Sequence, residues 1–88
     1  MNETLLIENR IWKYRNVKGL KQKEVAFLIG QDTPSQVSRY ERGLVIPKLE
    51  KLVKLCYVLD IKIELLYPQL MKKWHQEAEN KKEQLRKL

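Results

Sequence analysis

One cysteine, Cys56, and one histidine, His75, are all that this chain of 88 residues has of the side chains that most often ligate metals or attack substrates. A single cysteine excludes an internal disulfide and any zinc site built on several thiolates. Cys56 stands in the apolar run Leu52–Asp60, LVKLCYVLD, where a free thiol behaves as a small buried hydrophobe. His75, beside Trp74, lies in a separate segment and reads as a surface side chain. Three glycines and three prolines leave no flexible linker, repeat or phosphate-cradling loop, so each marks a boundary. No apolar run approaches the ~20 residues of a membrane span, and the N-terminus has no secretory signal pattern. With no carboxylate pair and no nucleophile beside a base, neither an enzyme nor a metal or organic cofactor is expected. The expected setting is a reducing cytoplasm, away from the membrane.

Positive charge is abundant. Eighteen Lys and Arg against eleven Asp and Glu give a net charge of +7, which favours a polyanionic partner. The excess is not confined to a tail: residues 1–70 hold 12 basic and 8 acidic side chains, and residues 71–88 hold six and three. Hydrophobic residues make up 43%, enough for one compact core in a domain this small.

Helical spacing of apolar residues recurs along the chain, while strand-like alternation is weak. Ile7, Ile11, Tyr14 and Val17 predict a first helix over roughly residues 3–17, ended by Gly19. Val25, Ala26 and Ile29 predict a second, closed by Gly30. Thr33-Pro34-Ser35-Gln36 is a start signal: Thr33 as cap, Pro34 in the first helical position, Gln36 completing a capping box. Val37 and Tyr40 then point inward and Gly43 ends that helix. Beyond Pro47, a stripe of Leu49, Leu52, Val53 and Cys56 predicts a fourth. Asp60 introduces a short fifth carrying Leu65 and Leu66, stopped near Pro68. A sixth helix follows over residues 69–88, with Met71, Trp74, Ala78 and Leu85 on a heptad-like seam that Lys81 interrupts. That seam suits a solvated basic extension, a dimer contact, or a partner or membrane surface.

The segment Gln22–Gly43, QKEVAFLIGQDTPSQVSRYERG, thus reads as two short helices joined by a tight turn. With Val37 and Tyr40 inward, Ser35, Gln36, Ser38, Arg39 and Arg42 remain outside. Ser35, Gln36 and Arg39 share one side. Gln pairs bidentately with adenine and Arg with guanine in the major groove of DNA, each good pair contributing about 1–3 kcal/mol of discrimination. Lys21, Gln22 and Lys23 open the preceding helix and suit phosphate contacts, as do Ser38, Arg42 and Lys48. A polar helix face is ordinary in a soluble domain, so the base-reading assignment leans on the basic balance and the surrounding pattern as well.

Residues of about 7–68 resemble the phage-repressor-type (Cro/repressor, Xre-like) helix-turn-helix family. The resemblance rests on Arg15 before Gly19-Leu20-Lys21-Gln22, on Glu24-Val25-Ala26 ending in Ile29-Gly30, on the run Pro34 to Gly43, and on Pro47 with its apolar helix. It implies an all-α fold: a five-helix lambda-repressor-like domain over residues 1–68, with residues 69–88 as a basic helical extension. It implies a transcriptional regulator, a repressor in the first instance, that binds double-stranded operator DNA as a homodimer. It carries over phosphate contact to Gln22, base reading to Ser35, Gln36 and Arg39, and an ion pair between helices 1 and 3 to Arg15 and Glu41. The loop Leu44-Val45-Ile46 corresponds to a region near the family's two-fold axis. One departure stands out: Glu41 follows Gly30 by eleven positions, against ten in the best-known phage repressors, so Asp32 is an extra residue in the turn. The alternative function is an antitoxin or other interaction module in which residues 71–88 hold a protein partner.

Overall fold

The computed structural model describes residues 6–88. These residues form six helices: α1 Ile11–Val17, α2 Gln22–Ile29, α3 Pro34–Glu41, α4 Leu49–Leu59, α5 Ile63–Leu66 and α6 Pro68–Arg86. Among the described residues there is no strand, and no helix is long and apolar enough to cross a membrane.

A single core holds the first five helices together. Ile11, Val25, Ala26, Ile29, Val37, Tyr40, Leu55, Leu59, Leu66 and Tyr67 are buried, with Ile7, Tyr14, Leu20, Val45 and Leu52 among the partly buried residues around them. Each fully buried aliphatic side chain contributes about 1.5–3 kcal/mol by leaving water. The closest packing joins α2 to α3, and α4 supports α2 from the other side. Helices α1 to α4 close with the same reverse turn, in which two successive amides bond back to carbonyls of the last turn: Gly19 and Leu20 after α1, Gly30 and Gln31 after α2, Gly43 and Leu44 after α3, Asp60 and Ile61 after α4.

The first helix is shorter than its apolar spacing predicts. Residues 3–5 lie outside the described residues, and Leu6–Arg10 are not helical. Asn9 explains the late start. Its Oδ1 accepts from the Ile11 amide, while its Nδ2 donates to Ile7 O and Tyr40 O, both at 3.0 Å. A side chain that bonds its own backbone and a distant helix end holds the entry segment extended. Val17, expected inward, is 70% exposed.

Helix α4 keeps half of its expected face, with Leu52 and Cys56 packed against the core, and is displaced from the other half. Leu49 and Val53 point to solvent, and Leu52, Leu55 and Leu59 face the core. Glu50, Lys51 and Lys54 mark the polar side, but the apolar arc opposite is so wide that spacing alone does not choose which of its edges is buried. Asp60 does not start α5; it ends α4 in the left-handed conformation, φ +54°, with Lys18 Nζ 3.6 Å from its carboxylate, and Lys62 caps α5. Thr33 makes no cap bond to α3. Its Oγ1 lies 2.6 Å from Ser35 Oγ instead. The capping carboxylate belongs to α2, where Glu24 accepts the Lys21 amide at 2.8 Å.

Helix α6 packs on α5, its first turn beside Leu6–Glu8, and gives the molecule its long dimension of 51 Å. Leu70 and Met71 are half-buried, and every residue from Lys72 onward is exposed.

Candidate nucleic-acid interface

Helix α3 is held from beneath by one carboxylate. Glu41, at its last turn, meets Arg15 of α1: Arg15 Nε donates to Oε2 at 2.5 Å and Nη2 to Oε1 at 3.1 Å. Arg15 Nη1 also donates to Leu20 O at 2.9 Å, tying the α1–α2 turn into the same group. Gln22, first residue of α2, donates its amide to Glu41 Oε1 at 3.1 Å. The side chains of Arg15 and Glu41 are 11% and 5% exposed. A bidentate guanidinium–carboxylate pair of this kind fixes orientation as well as contributing energy. It also neutralises the one carboxylate on α3.

The last turn of α3 is also tied to the turn that precedes the helix. Gln31 donates its Nε2 to Tyr40 Oη at 2.7 Å, and its backbone amide bonds Ala26 O at 2.8 Å. The extra residue Asp32 sits at the exposed bend between these anchors, and the turn on either side of it stays tied to α2 and α3. Lys51 of α4 donates to Gly30 O at 3.0 Å, placing a cation at the C-terminal end of α2 where the helix dipole is negative. Sequence reading passed over Lys51. Its one signal is a basic side chain in the first turn of a helix, where the local dipole disfavours it and an outside partner must explain it.

Ser35 and Arg39 are exposed and one helical turn apart on α3, with Gln36 half-buried between them. Gln36 lines a groove of about 300 Å³ with Gln31, Tyr40, Ile46, Lys48 and Lys51. Lys21 and Lys23 are exposed at the start of α2, where the Gln22 and Lys23 amides lack partners within the helix. Arg42 and Lys48 are exposed and Ser38 is half-buried. Gln22 is shared: one amide hydrogen goes to Glu41 and the second remains for an external acceptor. In the following loop, Val45 packs on the core, while Leu44 and Ile46 are 41% and 38% exposed.

The side chains able to do chemistry are placed elsewhere. Burial pushes the Cys56 thiol up, with Glu64 adding to the effect, which suppresses the thiolate a nucleophile needs. Among the described residues, no three His, Cys, Asp or Glu side chains gather to hold a metal ion.

A family model described as helix-turn-helix matches residues 13–66, well over half of the chain. The match runs from within α1 to the end of α5 and stops short of α6. No curated protein matches the chain.

Proposed function

The chain belongs to the phage-repressor-type, Xre-like helix-turn-helix family of DNA-binding transcription regulators, and from that membership we propose that α3 enters the major groove and reads base edges with Ser35, Gln36 and Arg39. Support comes from what holds α3 in place. Arg15, Gln22 and Glu41 lock its end against α1 and α2, so its exposed side is presented without loss of order when DNA arrives. Lys21, Gln22, Lys23, Ser38, Arg42 and Lys48 are assigned to phosphates, which set register without reading sequence.

One helix reads about four base pairs, too few to single out a site in a genome, so two copies on inverted half-sites are required. In this reading residues 1–68 form the DNA-binding unit, residues 69–88 its extension, and the protein works in the cytoplasm. Repression is the preferred outcome, because covering a promoter needs occupancy alone, whereas activation needs a further contact to the polymerase.

Selection from a random duplex pool tests the proposal. The expected return is an inverted repeat with half-site centres about 34 Å apart. Binding should weaken with salt at a log–log slope of about −0.9 for each phosphate contact. Absence of duplex binding at low salt would overturn it.

A further inference from the structure

We infer that α6 pairs antiparallel with the α6 of a second copy of this chain, Lys81 of each copy seating against Ala78 of the other. The inference rests on the DNA-binding reading for its purpose and on α6 itself for its geometry. Met71, Trp74, Ala78, Lys81, Leu85 and Leu88 follow one another at spacings of 3, 4, 3, 4 and 3 residues, the a/d pattern of a two-helix seam. Only Met71 touches its own core; Trp74, Leu85 and Leu88 are 44%, 69% and 99% exposed. Around Ala78 the helix surface forms an open groove of about 570 Å³ lined by Trp74, Glu77, Ala78, Asn80, Lys81 and Gln84.

Charge and size select both the occupant and its direction. Among the described residues, Glu77 and Lys81 form no ion pair, whereas Glu79–Lys82 and Glu83–Arg86 do. In a parallel pair Lys81 would face its own copy and Ala78 its own copy, stacking two ammonium groups in one layer and leaving a void in the next. An antiparallel pair about an axis between Glu79 and Asn80 removes both faults. Within the helix Trp74 then meets Leu85 and Ala78 meets Lys81, and Leu88, two residues past the end of α6, comes opposite Met71. The lysine stem fills the space over Ala78, and its ammonium reaches the Glu77 carboxylate on the groove wall. The same register sets the two Pro68 residues about 23 residues of helical rise apart, about 34 Å at 1.5 Å per residue. That separation of the attachment points is of the same order as the one-turn spacing of half-sites on B-DNA. A parallel pair would bring the two attachment points within about 10 Å.

Sedimentation equilibrium of the full chain without DNA tests the inference. The wild type should be a dimer, and Leu85→Asp a monomer whose core melts at the wild-type temperature. Lys81→Glu and Glu77→Lys should each raise the dissociation constant by about tenfold, with the double variant restored. Direction is read by oxidation in a Cys56→Ser background. Leu85→Cys alone should not cross-link, because antiparallel copies hold those positions about 16 Å apart, beyond disulfide reach. Trp74→Cys with Leu85→Cys should cross-link. A monomer at all concentrations, a dimer indifferent to Leu85→Asp, or a disulfide from Leu85→Cys alone would overturn it. Wild-type dimer that ignores duplex DNA would support the pairing and remove the DNA reading; a monomer that binds duplex would do the reverse.

Discussion

Ile7 donates its backbone amide to Gly43 O at 2.9 Å, and the two backbones approach so closely that any Cβ on residue 43 would fall inside contact distance of Ile7 O and N. Gly43 also has φ +76°, a left-handed conformation. The residue that ends α3 is therefore also the one that docks the entry segment. Gly43→Ala adds a backbone clash to a strained dihedral, and at least about 2 kcal/mol of stability should be lost. Gly19→Ala provides the control. Its φ is +68° but nothing lies within 4 Å of the added Cβ, so the loss should stay near the left-handed penalty of about 1 kcal/mol. Urea denaturation of both variants checks the difference; equal losses would show that the Ile7 approach does not matter.

Glu41→Ala should destabilise the fold by about 3 kcal/mol, since it leaves the Arg15 guanidinium without its partner in a largely buried place and frees Gln22. Thermal melts in the absence of DNA measure this. An unchanged melting temperature would mean that the ion pair holds nothing in place.

The core of α2 and α3 was legible in the sequence because both helices are amphipathic at the right spacing: Val25, Ala26, Ile29, Val37 and Tyr40 are all buried as the pattern requires. Gly19, Gly30 and Gly43 also marked true helix ends. Helix α4 was only partly legible in orientation: Leu52 and Cys56 pack on the core as the stripe requires, but the apolar arc of LEKLVKLCYVL is too wide for periodicity to choose Leu55 and Leu59 over Leu49 and Val53 as its buried edge. The start of α1 was hidden for another reason. Asn9 holds residues 6–10 out of the helix through bonds to Tyr40 O, 31 positions away, and no local pattern encodes a tertiary contact. The polar side of α3 was visible from spacing. The bond from Gln22 to Glu41 was not, because its geometry exists only once α2 and α3 have packed.

Arg39→Ala should weaken binding to the selected duplex by about 1–3 kcal/mol and relax preference at one base pair, leaving the melting temperature unchanged. Lys21→Ala should instead weaken binding to all duplexes alike and reduce the magnitude of the salt slope by about 0.9. Titrations at several salt concentrations separate the two behaviours. An Arg39→Ala protein that binds its site as the wild type does would remove that residue from base reading.

Tyr67 is 1% exposed, and its buried hydroxyl has no hydrogen-bond partner among the described residues. Burial raises its pKa above the ordinary tyrosine value, with Cys56 and Tyr40 nearby adding to the shift. The folded state therefore holds the phenolic proton more tightly than the unfolded chain, whose tyrosines titrate near pH ~10. Stability linked to this group is complete below that pH and is lost as the pH rises above it. Tyr67→Phe removes a desolvated hydroxyl without breaking any bond within the protein, so the melting temperature at pH 7 should rise, by the equivalent of about 1 kcal/mol. The variant should also lose the share of the alkaline decline that Tyr67 contributes. Melting curves between pH 8 and 11 measure both effects. A variant less stable at neutral pH would mean that the hydroxyl is satisfied after all.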